Sequence, residues 1–145
     1  MSRPEKFLMK STYTICYVSK VAPNLSEKDI EALFQYTAAY NNKSNISGIL
    51  LHSLDNFFQV LEGSEKSLTK LYEKIKEDTR HGEIYEVYNR KISQPVFDNY
   101  KSTFDIVKTA EDLKMLLIYL NQDVSNSTNR KLRRLLAPFD LLGEF

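Results

Sequence analysis

The octapeptide Asn56-Phe57-Phe58-Gln59-Val60-Leu61-Glu62-Gly63 constrains this chain more than any other stretch. In an extended strand, side chains two apart share a face, so Phe57, Gln59 and Leu61 point one way and Phe58, Val60 and Glu62 the other. A neutral amide therefore lies between two apolar neighbours. If that face is buried, Gln59 carries donors and an acceptor into a place where each unpaired group costs about 1–3 kcal/mol. Two answers are open at this point: backbone or water in an ordinary core, or a ligand with a polar edge.

The flanking sequence supplies a sheet and helices around this strand. Tyr13 to Ser19 reads as a first strand with Ile15, Tyr17 and Ser19 on one face. Ser26, with Glu27 and Asp29 behind it, opens a helix to about Asn42 whose face carries Ile30, Leu33, Phe34, Thr37, Ala38 and Asn41. Ser47 to Ser53, a turn at Leu54-Asp55-Asn56, and Phe57 to Glu62 form a hairpin. A second helix runs from about Glu65 to Asp78, with Leu68, Leu71, Tyr72 and Ile75 inward, and Thr79 to Gly82 closes it. Strands at Ile84 to Ser93 and Thr103 to Val107 follow. The order β-α-β-β-α-β-β predicts an α+β, ferredoxin-like fold with two helices on one sheet face and strands one and three adjacent at its centre. Tyr17 and Gln59 are then brought close together.

Residues 1–12 read as a polar lead-in, 13–107 as the sheet domain and 108–145 as a C-terminal helical extension. In the extension, Thr109 caps a helix with Leu113, Leu116, Leu117 and Leu120 as its stripe. A polar linker from Gln122 to Asn129 leads to a basic helix that stops near Pro138. These helices are expected to cover the bare sheet face or to form a subunit interface. The basic cluster Arg130, Lys131, Arg133 and Arg134 reads as a solvated face.

Composition removes several function classes. A net charge of +1 argues against a broad nucleic-acid surface. No apolar run approaches the roughly 20 residues that cross a bilayer, and no signal-type core opens the chain, so a cytoplasmic location is expected. The single cysteine, Cys16, excludes an internal disulfide, and His52 and His81 lack zinc-site spacing. There is no phosphate loop, nucleophile elbow or triad signature. What stands out on the helix-facing surface is a phenol, two amides and a hydroxyl: Tyr17, Gln59, Asn41 and Ser19. Such groups hydrogen-bond a flat heterocycle well and do poor acid-base work at neutral pH.

Tyr17-x-Ser19, Asn41 at a helix end, Ile46 to Leu51, the octapeptide and Arg80-His81, in that order and spacing, resemble the BLUF domain, the family of blue-light sensors using FAD, in its short single-domain type. The resemblance covers residues 13–107. It implies a non-covalent flavin, FAD with FMN or riboflavin as alternatives, whose ring lies between the first two helices. It further implies photoactive roles for Tyr17 and Gln59, and flavin contacts at Ser19, Ile30, Leu33, Thr37, Asn41, Asn42, Phe57, Ile75, Arg80 and His81. Light-driven electron and proton transfer from Tyr17 would rearrange the Gln59 hydrogen bonds and give a reversible red-shifted state. That state would pass to the C-terminal helices and on to a downstream protein or a second copy through residues 109–145, with no enzyme activity, nucleic acid or membrane involved.

Where the family commonly carries a tryptophan and, two residues later, a methionine, this chain has Tyr100 and Ser102, the candidates for output. Tyr100 reads as an aromatic plug or as a second electron donor. Two other readings stand beside this one: a ferredoxin-like RNA-binding module without flavin, and a sensor fragment of a larger light-regulated enzyme.

Overall fold

The computed structural model describes residues 12–98, Tyr100 and residues 104–142. The expected lead-in as far as residue 11, and Ser102, lie outside the described residues. In chain order the elements are β1 (Thr12–Val21), α1 (Glu27–Lys43), β2 (Ser47–Ser53), β3 (Asn56–Gly63), α2 (Glu65–Glu77), β4 (His81–Ile92), β5 (Phe104–Val107), α3 (Ala110–Leu120) and α4 (Ser127–Leu142). The sheet order is β4-β1-β3-β2-β5, with β2 and β5 parallel and the other neighbours antiparallel. The ferredoxin-like α+β expectation holds, with β1 and β3 adjacent and Tyr17 directly opposite Gln59.

Local chemistry explains the boundaries. Ser26 accepts from the Asp29 backbone N–H while the Asp29 carboxylate accepts from the Ser26 N–H, a reciprocal cap that starts α1. Thr109 and Asp112 repeat the device at α3. The hairpin turns on Leu54 and Asp55, whose φ angles of 52° and 64° match the right-handed twist of the strands it joins. At the head of β2, Gly48 has φ 132° where its backbone crosses close to Val60.

The C-terminal helices cover the sheet face that α1 and α2 leave bare. Leu113, Leu116 and Leu120 of α3 and Leu132 and Leu136 of α4 pack with Cys16, Phe58 and Val60, while Ile15, Tyr17, Phe57 and Leu61 pack with α1 and α2 on the opposite face. Several boundaries differ from expectation: β4 starts at His81 and takes up the end of the segment expected to close α2, and both ends of α4 move. Asn126 within the expected linker caps α4, its Oδ1 accepting from the N–H groups of Thr128 and Asn129, so the helix starts at Ser127. At the other end α4 continues through Pro138. The lost backbone donor is offset by packing, since the Phe139 ring sits 6.0 Å from that of Phe58.

Glu62 shares the sheet face of Phe58 and Val60, which α3 and α4 cover. It is buried, and its carboxylate accepts from the backbone N–H groups of Val96 at 2.6 Å and Phe97 at 2.8 Å. Burial raises its pKa above the ordinary 4.5, more than these donors lower it. A raised value means that the folded protein holds the proton more tightly than the unfolded chain does. The stability Glu62 contributes is therefore full below pH 4.5 and is lost as pH rises through the folded value. In urea titrations, the wild type should lose stability relative to Glu62→Gln as pH is raised from about 4.5 toward neutrality. A difference independent of pH would rule this out.

Candidate functional site

A cleft opens between α1 and α2 above the centre of the sheet and encloses about 740 Å³ of atom-free space, part of it continuous with solvent. Its floor is Tyr17 of β1, Leu50 of β2, and Phe57 and Gln59 of β3. Leu33, Thr37 and Asn41 line it from α1, and Leu71 and Ile75 from α2. The heptad-like spacing 33, 37, 40/41 on one helix and 71, 75 on the other is what turns these side chains toward each other.

Three polar groups define the floor. Gln59 Nε2 donates to the Tyr17 hydroxyl, and both residues are buried. Gln59 Oε1 and Asn41 Nδ2 are also buried and have no hydrogen-bond partner among the described residues. Asn41 is only 1% exposed, yet its backbone carbonyl is fully engaged, accepting from Ser44 and Ile46. The helix-stop reading of Asn41 thus accounts for its backbone and leaves its amide group unspent. One bare acceptor and one bare donor at the edge of an apolar slot match a flat heterocycle with N–H and carbonyl groups along one edge. The residues present therefore fit a flavin ring.

Burial raises the Tyr17 pKa well above that of an ordinary phenol, so the side chain is neutral at physiological pH. Its ring lies 5.9 Å from that of Tyr72 and 6.0 Å from that of His81. His81 makes two short contacts, Nε2 to the Ile75 carbonyl at 2.7 Å and Nδ1 to Ser19 Oγ at 2.6 Å. A carbonyl only accepts, so Nε2 carries a proton and, in the neutral ring, Nδ1 accepts from the Ser19 hydroxyl. His81 ties the last turn of α2 to β1, close to the capping role that its position predicts. Arg80 gives Nε and Nη2 to the two carboxylate oxygens of Asp78, at 3.0 and 2.6 Å, and this holds the Asp78 carboxyl below the ordinary range.

Of the expected flavin contacts, Leu33, Thr37, Asn41, Phe57, Ile75, Arg80 and His81 line this cleft with Tyr17 and Gln59. The structure does not bring Ser19, Ile30 and Asn42 to it. Ser19 is turned to His81. Ile30 lines a neighbouring groove beside Val21 and Leu25. Asn42 Oδ1 accepts from the Phe104 N–H at 2.8 Å, which ties α1 to β5. Sequence reasoning missed Tyr36, Tyr40, Lys74 and Asp78, which line the cleft at its outer end. The signal for the tyrosines was present, since 36 and 40 flank 33, 37 and 41 on the same helical face. Tyr100 packs on the other side of the sheet, 4.7 Å from the Tyr119 ring and 6.2 Å from that of Phe97.

Comparison with known proteins agrees with this geometry. A family profile described as sensors of blue-light using FAD matches residues 12–103. The photoactivated adenylate cyclase subunit alpha of Euglena gracilis is 33% identical over 100 residues, which is 69% of this chain and 10% of that protein. The chain spans about a tenth of the length of the cyclase relatives it matches. Among solved structures, that of BlrP1 BLUF aligns with a TM-score of 0.69 at 29% identity, covering 89% of each chain. The dark-state structure of BlrB, a BLUF protein, aligns with a TM-score of 0.63 at 25% identity over 90% of this chain and 98% of its own.

Proposed function

The chain belongs to the BLUF family of blue-light sensors, and from that membership we propose that its cleft holds FAD and that Tyr17 and Gln59 perform the primary light response. The observation that carries the proposal is the hydrogen-bonded Tyr17–Gln59 pair with Gln59 Oε1 and Asn41 Nδ2 left bare in the same slot. A bound flavin supplies blue-light absorption and an excited state that accepts an electron. Tyr17 would give an electron to that state, and its hydroxyl proton, which the bond accepted from Gln59 Nε2 leaves uncommitted, would follow the electron to the reduced flavin. Gln59 records the event. Turned end for end, or tautomerised, the amide exchanges donor for acceptor, and every bond it makes must rearrange. One buried hydrogen bond is worth about 1 kcal/mol, enough to bias a poised equilibrium several-fold.

Output through the C-terminal helices has structural support. Gln59 and Glu62 lie three residues apart on β3 with side chains on opposite faces, and Glu62 holds Val96 and Phe97. The Val96 carbonyl accepts from the Tyr119 hydroxyl of α3. A shift of β3 is thereby felt at α3 without the tryptophan and methionine that this chain lacks. Met115 and Ile118 lie exposed on the outer surface of α3, which supports contact with a downstream protein or a second copy. The RNA-binding alternative loses its surface, because the sheet face it requires lies under α3 and α4. Among the described residues no helix is long and apolar enough to cross a membrane.

Purified protein is expected to be yellow, with a flavin spectrum that moves slightly to the red under blue light and recovers in the dark. A bound flavin without a shift would reject the Tyr17–Gln59 mechanism. A colourless protein after flavin reconstitution would reject the whole reading.

A further inference from the structure

Asn41 and Asn42 are consecutive near the end of α1, and their side chains do different work. Asn41 carries its unpartnered Nδ2 into the cleft lining, whereas Asn42 Oδ1 accepts from the N–H of Phe104, the first residue of β5. The backbone beneath the pair is held firmly, since the Asn41 carbonyl accepts from Ser44 and Ile46. A displacement of one asparagine is therefore shared by the other. β5 is four residues long and reaches both cores. Phe104 packs with Tyr17 and Leu50 on the cleft side, and Val107 packs with Leu113 and Leu116 on the side of α3 and α4. The next residue, Lys108, gives its N–H to the Asp112 carboxylate at 3.0 Å, and the Asp112 N–H is itself bonded to Thr109 Oγ1 in the cap that starts α3. Between the cleft and the first turn of α3 there is thus a continuous route. One side-chain hydrogen bond, from Asn42 to Phe104, joins its two halves.

We propose that Asn42 is a positioning residue of the light response: it makes β5 follow the end of α1, so that a change of hydrogen bonding at Asn41 reaches the first turn of α3. The proposal rests on the flavin reading above. It differs from the route through Glu62, which arrives at Tyr119, in the last turn of the same helix. Its rival is a plain staple, in which Asn42 holds β5 equally in light and dark. A second tie between the same elements separates the two. Glu31, in the first half of α1, lies 2.9 Å from Lys108 Nζ, and both side chains are about half exposed. An ion pair of that kind transmits little.

Hydrogen exchange resolved along α3, measured on the flavin-loaded full chain in the dark and under blue light with the absorption spectrum of each sample, supplies the test. In the wild type the amides of Asp112 and Leu113, both bonded to Thr109, are expected to exchange at rates that differ about fivefold between light and dark, the bias one hydrogen bond can set. Asn42→Leu removes the acceptor at an exposed position and should bring that ratio to one while the red shift forms in full and the Asn121 amide, at the far end of α3, keeps its own ratio. Asn42→Asp retains an acceptor oxygen and should restore the ratio, and Lys108→Met should leave it intact. A ratio that survives Asn42→Leu, that Asn42→Asp does not restore, or that Lys108→Met also abolishes would each overturn the assignment. So would a lost red shift in Asn42→Leu, or a wild type that shifts to the red with no light-dark difference at Asp112 and Leu113. If the wild type gives no red shift at all, the flavin reading fails first and takes this proposal with it.

Discussion

Gln59→Leu is expected to retain flavin and to lose the light-induced red shift entirely. Leucine is close to glutamine in volume, and it joins Phe57 and Leu61 on a face that is already apolar, so the core beneath the cleft stays filled. What disappears is the group that both holds the Tyr17 hydroxyl through Nε2 and offers Oε1 to the slot. The Tyr17 hydroxyl loses its donor, at a cost of about 1 kcal/mol that the fold can absorb. On the proposed reading, ring binding would continue through Asn41 and the walls Leu33 and Ile75, which line the cleft. With no amide to reverse, no altered hydrogen-bond pattern outlives the excitation. Difference spectra recorded before and immediately after a blue flash decide the matter, and a fully retained shift would count heavily against Gln59 as the element that stores the signal.

The second large effect concerns folding. Gly48→Ala should yield little or no soluble protein. A Cβ at this position would lie 1.9 Å from the Val60 carbonyl oxygen and 2.9 Å from its carbon, and the φ of 132° is itself a conformation that side chains rarely adopt. The obstructing atoms are backbone atoms of the strand that carries Gln59, so no rotamer change relieves the clash. Either β2 separates from β3 or the whole register shifts, and in both cases the loss exceeds about 4 kcal/mol, a large part of the stability of a domain this size. Gly82→Ala is the control. Nothing lies within 4 Å of a Cβ there, and near-wild-type urea stability is expected. Soluble Gly48→Ala protein with an unchanged unfolding midpoint would show that the close crossing of β2 and β3 is not needed.

The parts legible in the sequence were those that a local rule decides. Alternation fixed which face Gln59 shares with Phe57 and Leu61, Ser26 and Thr109 announced their helices, and the strand order brought Tyr17 opposite Gln59. The partners of Glu62 were not legible because they are Val96 and Phe97, more than thirty residues away, and a period-two pattern cannot say what will cover the far face. Pro138 looked like a stop because the rule for proline is local, while the packing of Phe139 that carries α4 past it is tertiary. Within the cleft, the floor could be read from strands and the walls from helical spacing. The pairing of Asp78 with Arg80 depends on side-chain geometry at a loop that no spacing encodes.

Among the described residues the two cores on either side of the sheet share no side chain. Substitutions in different cores that lie well apart add nearly independently, whereas neighbours within one core couple. On the function proposed above, the half that would absorb and the half that would report are free to drift separately in sequence, provided the five strands between them stay in place. On that proposal the molecule would behave like a detector with an exchangeable cable: α3 and α4 could be reshaped for a new listener while the wavelength it answers to stayed the same.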